Sequence, residues 1–64
     1  MDKKTRFLNV YANLPLPLRN EVIYVLPDKE PKEPMSWNAV FIEVQYNTPL
    51  GEKLLDRLDE LGFI

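Results

Sequence analysis

A chain of 64 residues with a net charge of −2 forms a single small domain, residues 1–64, with little surface to bury. It contains no cysteine and no histidine, which excludes disulfides and leaves only oxygen ligands for a metal. We therefore expect no cofactor and no metal. Stability must come from the packing of seven aromatic residues (one Trp, three Tyr, three Phe), from proline-stiffened loops or from self-association. A monomer and a homodimer both remain open.

The first residues, MDKKTRF, lack the apolar run of a signal peptide. No stretch approaches the roughly 20 apolar residues that cross a membrane. These features predict a cytoplasmic protein without a membrane segment.

The first predicted element is a helix that Asp2 caps and that runs to about Asn13. Its apolar residues at helical spacing are Phe7, Val10, Tyr11 and Leu14. Residues 14–18, LPLPL, end this helix, because each proline pushes the residue before it out of the α region.

Residues 21–26, EVIYVL, predict a strand, since four of the six are Val, Ile or Tyr and Pro27 follows. A competing interpretation begins a helix at Pro17 and places Leu18, Val22 and Val25 on one face. Residues 27–34, PDKEPKEP, predict an exposed and mobile loop without an apolar anchor.

Residues 36–47, SWNAVFIEVQYN, fit two structures. Ser36 can cap a helix that presents one apolar face, whereas Ile42, Val44 and Tyr46 alternate with polar residues as in a strand. The helical face consists of Trp37, Val40, Phe41 and Val44. We favour the helix, because Asn47 and Thr48 then form a tight junction with the helix that follows.

Residues 48–64 predict a final helix with a marked start and end. Thr48 suits the N-cap, Pro49 the first helical position, and Gly62 the left-handed residue that ends a helix. Phe63 is then expected to fold back onto the last turn, so that the C-terminal end is docked. The apolar stripe, which the first helix should cover, consists of Leu50, Leu54, Leu55, Leu58 and Leu61.

The predicted fold class is therefore α+β, with an N-terminal helix, a central strand or short hairpin, and two C-terminal helices. If residues 37–46 form a strand instead, the order is α-β-β-α with an antiparallel strand pair.

The charge is distributed unevenly along the chain. Residues 1–20 carry four cations against one anion, and residues 43–64 carry five anions against two cations. We expect the basic start to lie near the acidic last helix, in the same chain or in a partner copy.

The order of short segments along the chain resembles a group of small prokaryotic proteins known chiefly as conserved hypothetical proteins. The segments are ANLP (12–15), RNEVI (19–23), SWNAVFIEV (36–44), TPLGEKLL (48–55) and LGFI (61–64). In that group the link after the strand is shorter, so residues 27–34 are a departure. The resemblance implies a prokaryotic cytoplasmic protein and no particular activity or binding residue.

No pattern of catalysis is present, and we expect no enzyme. Neither histidine nor cysteine is available to titrate near neutral pH, and there is no glycine-rich phosphate loop. Glu52, Asp56 and Glu60 lie one turn apart on the last helix, but opposite its apolar stripe, where water keeps carboxylates ionised.

We instead predict a non-enzymatic protein–protein interaction module, of the kind that antitoxins and adaptors represent, whose partner is another protein or a second copy. Three amphipathic elements in so short a chain rarely hide all their apolar surface. Trp37 also suits a core anchor, because its indole ring is large and its N–H needs a partner. The rings expected at the interface are Trp37, Phe41, Tyr46 and Phe63.

The alternative is a nucleic-acid-binding protein that uses the basic N-terminal helix. Lys3, Lys4 and Arg6 would contact the phosphate backbone, and Phe7 and Tyr11 would offer rings for stacking. The net negative charge of the chain makes this partner the less expected one.

Overall fold

A computed structural model describes residues 2–27 and 32–64 of the chain. The elements in order are α1 (Lys3–Ala12), a 3-10 helix η1 (Leu16–Asn20), β1 (Val22–Leu26), β2 (Glu33–Ser36), α2 (Trp37–Gln45) and α3 (Pro49–Leu61). An N-terminal helix, an antiparallel hairpin and two C-terminal helices confirm the predicted α+β class. None of the described helices has the length and apolar character needed to cross a membrane.

Helix α1 begins where the sequence predicts, because the Asp2 carboxylate accepts a hydrogen bond from the Thr5 backbone N–H at 2.7 Å. It ends at Ala12, and the chain then turns into η1, which has Pro17 in its first turn. The favoured strand is confirmed, since residues 22–26 form β1. The competing helix from Pro17 through Val25 is wrong, because the helical backbone stops at Asn20.

The two strands form a hairpin with one buried and one exposed face. The register pairs Val22 with Ser36, Tyr24 with Met35, Val25 with Pro34 and Leu26 with Glu33, with an irregularity between Val22 and Tyr24. Leu26 and Met35 are buried in the core, whereas Val25 and Pro34 are exposed on the opposite face. This alternation is what a two-stranded sheet covered on one side requires.

The predicted end of the loop over residues 27–34 is wrong, because Glu33 and Pro34 belong to β2. An outer strand tolerates proline, whose nitrogen has no hydrogen to donate to a ladder. The buried Met35 that follows supplies the apolar anchor absent from the loop itself. Pro27, Glu33 and Pro34 are exposed as predicted, and the prediction of mobility over residues 28–31 lies outside the described residues.

Helices α2 and α3 meet at a tight junction, as predicted. The Ser36 hydroxyl accepts a hydrogen bond from the Ala39 N–H at 3.1 Å and starts α2, so the strand alternative for this segment is wrong. Asn47 takes the left-handed conformation with φ of 55°. The Thr48 hydroxyl accepts a hydrogen bond from the Gly51 N–H at 2.9 Å and starts α3.

The core gathers side chains from α1, the hairpin, α2 and α3. Its buried members are Phe7, Leu26, Met35, Trp37, Val40, Val44, Leu54, Leu55 and Leu58. The leucine stripe of α3 is thus largely buried as predicted, although Leu61, at the end of the helix, is exposed.

The C-terminal end is docked. Gly62 has a φ of 83°, and the Phe63 N–H donates to the Leu58 carbonyl at 2.9 Å, which is the Schellman pattern expected from the sequence. The Ile64 carbonyl accepts a hydrogen bond from Arg6 Nη1 at 3.2 Å, so the last residue lies against α1.

Candidate interaction surface

A row of aromatic rings runs from the core to the surface. Trp37 and Phe7 lie inside, with ring centres 5.8 Å apart. Phe7 is followed by Tyr11 at 6.1 Å, and Tyr11 stacks on Phe41 at 4.3 Å with the ring planes 7° apart. Tyr11 and Phe41 are half-buried. The Tyr11–Phe41 stack is therefore anchored in the core and partly open to solvent.

Polar contacts attach η1 to this stack. The Tyr11 hydroxyl donates to Asn38 Oδ1 at 2.6 Å, and Asn38 Nδ2 donates to Asn20 Oδ1 at 2.9 Å. The Arg19 guanidinium carbon lies 4.4 Å from the centre of the Tyr11 ring, a cation–π distance. Three elements, α1, η1 and α2, are thus joined around one tyrosine.

Exposed apolar side chains lie on η1 and along α2, the two elements that contact Tyr11. Ile42 lies one helical turn after Asn38, and Tyr46 one turn after Ile42, so the three share one line along α2 that starts beside η1. Ile42 is 52% and Tyr46 71% exposed, and in η1 Leu16 and Leu18 are also exposed. We name the surface formed by Leu16, Leu18, Ile42 and Tyr46 with the Tyr11–Phe41 stack the η1–α2 face.

The four rings predicted at an interface do not gather in one patch. Phe41 and Tyr46 lie on the η1–α2 face. Trp37 is only 8% exposed and acts as a core anchor, with its ring 6.1 Å from that of Phe63 in an edge-to-face arrangement. Phe63 is 42% exposed near the chain end. Among the described residues, the ring contact of Phe63 is with Trp37 in the core and not with the η1–α2 face.

Sequence reasoning missed the contribution of η1. The sequence predicts that residues 14–18 end the first helix, with a competing helix from Pro17 that includes Leu18, yet Leu16 and Leu18 form part of the exposed face and Arg19 covers the Tyr11 ring. One signal was available. Leu16 and Leu18 are two residues apart, which is not a helical spacing, and the prolines on either side of Leu16 cannot donate to a strand ladder, so no paired element directs both side chains into a core.

The basic residues of α1 have partners within the chain. Lys3 Nζ donates to Asp56 Oδ1 at 2.7 Å, and Arg6 Nη2 donates to Asp59 Oδ1 at 3.0 Å. Lys4 Nζ donates to Asn47 Oδ1 at 2.7 Å. The basic start of the chain thus lies against the acidic α3 of the same chain, as its charge pattern predicted.

Three carboxylates of α3, those of Asp56, Asp59 and Glu60, are engaged in ion pairs. Asp56 pairs with Lys3 as described, and Glu60 accepts a hydrogen bond from Arg57 at 3.1 Å. Within residues 2–27 and 32–64, no group of three or more acidic side chains is arranged to hold a metal ion.

Comparison of the chain with protein-family models, with curated proteins and with solved structures finds no match. Neither an activity nor a partner can be transferred from a relative. The residues of the η1–α2 face therefore carry the functional interpretation.

Proposed function

We propose that the protein is a non-enzymatic protein–protein interaction module that binds its partner through the η1–α2 face. The observation that carries this proposal is the exposure of four large apolar side chains on η1 and along α2, the two elements that also contact Tyr11. Exposed apolar surface beside tyrosine and arginine is typical of binding hot spots. An antitoxin-like or adaptor-like role in a prokaryotic cytoplasm is the kind of function that we propose for it.

The fixed arrangement of the stack supports the proposal. Tyr11 is held by a ring contact to Phe41, a hydrogen bond to Asn38 and a cation–π contact to Arg19. Side chains that are already ordered lose little conformational entropy when a partner binds. The face is thus prepared to contribute binding free energy.

The test is capture of the partner from a lysate of the source organism, with the wild-type protein and two variants as bait. Ile42→Asp places a charge on the η1–α2 face, and Leu61→Asp places one at an exposed site at the end of α3. We expect a co-purifying protein that is lost with Ile42→Asp and retained with Leu61→Asp. Because both side chains are more than half exposed, both variants should give the circular dichroism spectrum of the wild type.

A bait that retains no specific protein would contradict the proposal, provided that light scattering also finds the isolated protein to be a monomer. If the partner were lost with Leu61→Asp but retained with Ile42→Asp, the interface would lie outside the η1–α2 face. The Trp37→Ala variant is unsuitable, because removal of this core side chain affects folding and binding together.

A homodimer is the second form that the interaction can take. Among the described residues β1 has no strand on its outer edge, and its sequence VIYVL contains neither proline nor charge. The outer edge of β2, by contrast, carries Pro34, a residue that opposes strand pairing. If light scattering gives twice the chain mass, loss of the dimer in Val25→Lys would assign the contact to β1.

The nucleic-acid alternative has less support. Lys3 and Arg6 already donate to carboxylates of α3, so a phosphate would have to compete with these partners. Phe7 is fully buried and cannot stack on a base. Retention on nucleic acid that falls steeply with salt and disappears when Lys3, Lys4 and Arg6 become Glu would favour this alternative.

A further inference from the structure

Arg19 differs from the other two described arginines in having no acidic partner. Arg6 pairs with Asp59 at 3.0 Å and Arg57 with Glu60 at 3.1 Å, whereas no carboxylate of the described residues pairs with Arg19. The Nε of Arg19 is buried and has no acceptor among these residues. The Nε of Arg6 shares this property, but both terminal nitrogens of Arg6 have acceptors.

A short series of hydrogen bonds beside Arg19 also ends at a side chain with an N–H donor to spare. From the Tyr11 hydroxyl the bonds run outward, through Asn38 to Asn20, and each residue donates to the next. Asn20 accepts through Oδ1, which leaves its Nδ2 without an acceptor among the described residues. Arg19 contacts the Tyr11 ring and Asn20 is joined to the same tyrosine through Asn38, and each keeps an N–H donor without an acceptor among the described residues.

A carboxylate is the acceptor that best fits this arrangement. The planar guanidinium forms paired hydrogen bonds with a carboxylate, and its position over the Tyr11 ring fixes its plane in advance. Leu16 and Leu18 of the same 3-10 helix and Ile42 of α2 are apolar and exposed. A nucleic acid would need several cations here, and Arg19 is the cation that the structure places on the Tyr11 ring.

We propose that Arg19 and Asn20 form an anchor for an aspartate or glutamate of the partner, and that this acidic residue is flanked in the partner by apolar side chains that cover the η1–α2 face. This inference rests on the proposed function and adds the chemical character of the partner. It makes Arg19 the specificity-determining residue of the interface.

The experiment is an NMR titration of the full chain, labelled with ¹⁵N, with two synthetic peptides. The first is an acetylated, amidated leucine-rich heptapeptide with a central glutamate, and the second has glutamine at that position. We expect the glutamate peptide to shift the Arg19 Nε–H and the Asn20 side-chain amide signals. The glutamine peptide should bind roughly tenfold more weakly, because charge-assisted hydrogen bonds are lost.

Three variants complete the test. Arg19→Gln should reduce binding of the glutamate peptide to that of the glutamine peptide. Arg19→Lys keeps the charge but not the planar fork, and should recover only part of the affinity. Arg57→Gln, which alters an exposed arginine paired with Glu60 on α3, is the matched control and should bind as the wild type.

Each other outcome overturns the inference in a recognisable way. Equal binding of both peptides, with shifts on Ile42 and Tyr46 but not on Arg19, would remove the acidic anchor and leave the proposed interaction face intact. Absence of binding, or shifts confined to other surfaces, would overturn the anchor, while the capture experiment would still decide the proposed function. Stronger shifts at Arg19 with a thymidine oligonucleotide than with the glutamate peptide would assign the donors to phosphate.

Discussion

Gly51 is the residue that sets how closely α2 and α3 approach. A Cβ at this position would lie 2.5 Å from the carbonyl oxygen and 2.7 Å from the carbonyl carbon of Glu43. Both atoms are backbone, so neither can rotate away. We predict that Gly51→Ala lowers the free energy of unfolding by about 1–3 kcal/mol, even though alanine favours an ordinary helix by roughly 1 kcal/mol. Urea unfolding followed by circular dichroism measures the change.

Gly62→Ala provides the comparison, because this glycine has open space around it and a φ of 83°. Its substitution should cost about 1–2 kcal/mol through backbone strain alone. If Gly51→Ala left the free energy of unfolding unchanged, α2 and α3 could not approach each other as closely as described at this position.

At the scale of elements, the start of α1 should give stability a dependence on pH. The hydrogen bond from the Thr5 backbone N–H lowers the pKa of Asp2 below its ordinary 3.8, and the hydrogen bond to Asp56 raises the pKa of Lys3 above its ordinary 10.5. The Asp2 contribution is therefore present above pH 3.8 and is lost as pH falls through the lowered pKa. The Lys3 contribution is present below pH 10.5 and is lost as pH rises through the raised pKa.

The free energy of unfolding, measured in urea between pH 2 and pH 11, checks both signs. Asp2→Asn should flatten the acidic decline and still cap the helix, since asparagine is also a good N-cap. Lys3→Gln should flatten the alkaline decline. Both effects are expected to be small, because the groups are exposed and solvent screens them. An acidic decline that is unchanged in Asp2→Asn would show that other carboxylates account for it.

The elements with local sequence signals were predictable, whereas η1 and β2 lack such signals and were not located. Asp2, Ser36 and Thr48 cap the three α-helices as the sequence indicates, because a cap depends on residues only three positions apart. A short hairpin is one of the predicted alternatives, but the sequence does not locate β2, since Glu33 and Pro34 disfavour strands and are held there by pairing with β1. Its formation depends on tertiary contacts that composition does not encode.

The candidate interface was predictable only in part for a similar reason. Exposure of Tyr46 agrees with the expectation of a surface ring, but Tyr11 and Phe41 are thirty positions apart, and their stacking depends on the angle between α1 and α2. The hydrogen bond from Tyr11 to Asn38 and the position of Arg19 depend on the same angle. Residue periodicity indicates which face of a helix is apolar, but not which partner lies opposite.

At the scale of the whole molecule, Trp37 joins the separate parts of the fold. Its ring contacts Phe7 of α1 and Phe63 of the C-terminal end, and its backbone N–H donates to the Glu21 carbonyl at 3.2 Å. Trp37→Ala should cost about 3–5 kcal/mol. A chain of this length has a total stability of roughly 3–10 kcal/mol, so we expect this variant to lose about a third of it or more and to melt at least about 12 °C below the wild type, or not to fold at all.

Thermal denaturation followed by circular dichroism measures this loss, with Tyr46→Ala as the control. The Tyr46 side chain is 71% exposed, so its removal should change stability by no more than about 0.5 kcal/mol. Similar melting curves for the two variants would mean that Trp37 is not central to the core.

The hydrogen bond between Arg6 and the Ile64 carbonyl places the last residue against α1, close to where that helix begins. Tyr11 lies near the opposite end of the same helix, whose ten residues extend about 15 Å. A flexible tether joined to Ile64 would therefore leave from the part of α1 that contacts α3 through Arg6, whereas Arg19 and Phe41 contact the same helix at Tyr11. Attachment to a solid support through Ile64 is the orientation that we expect to leave Arg19 accessible.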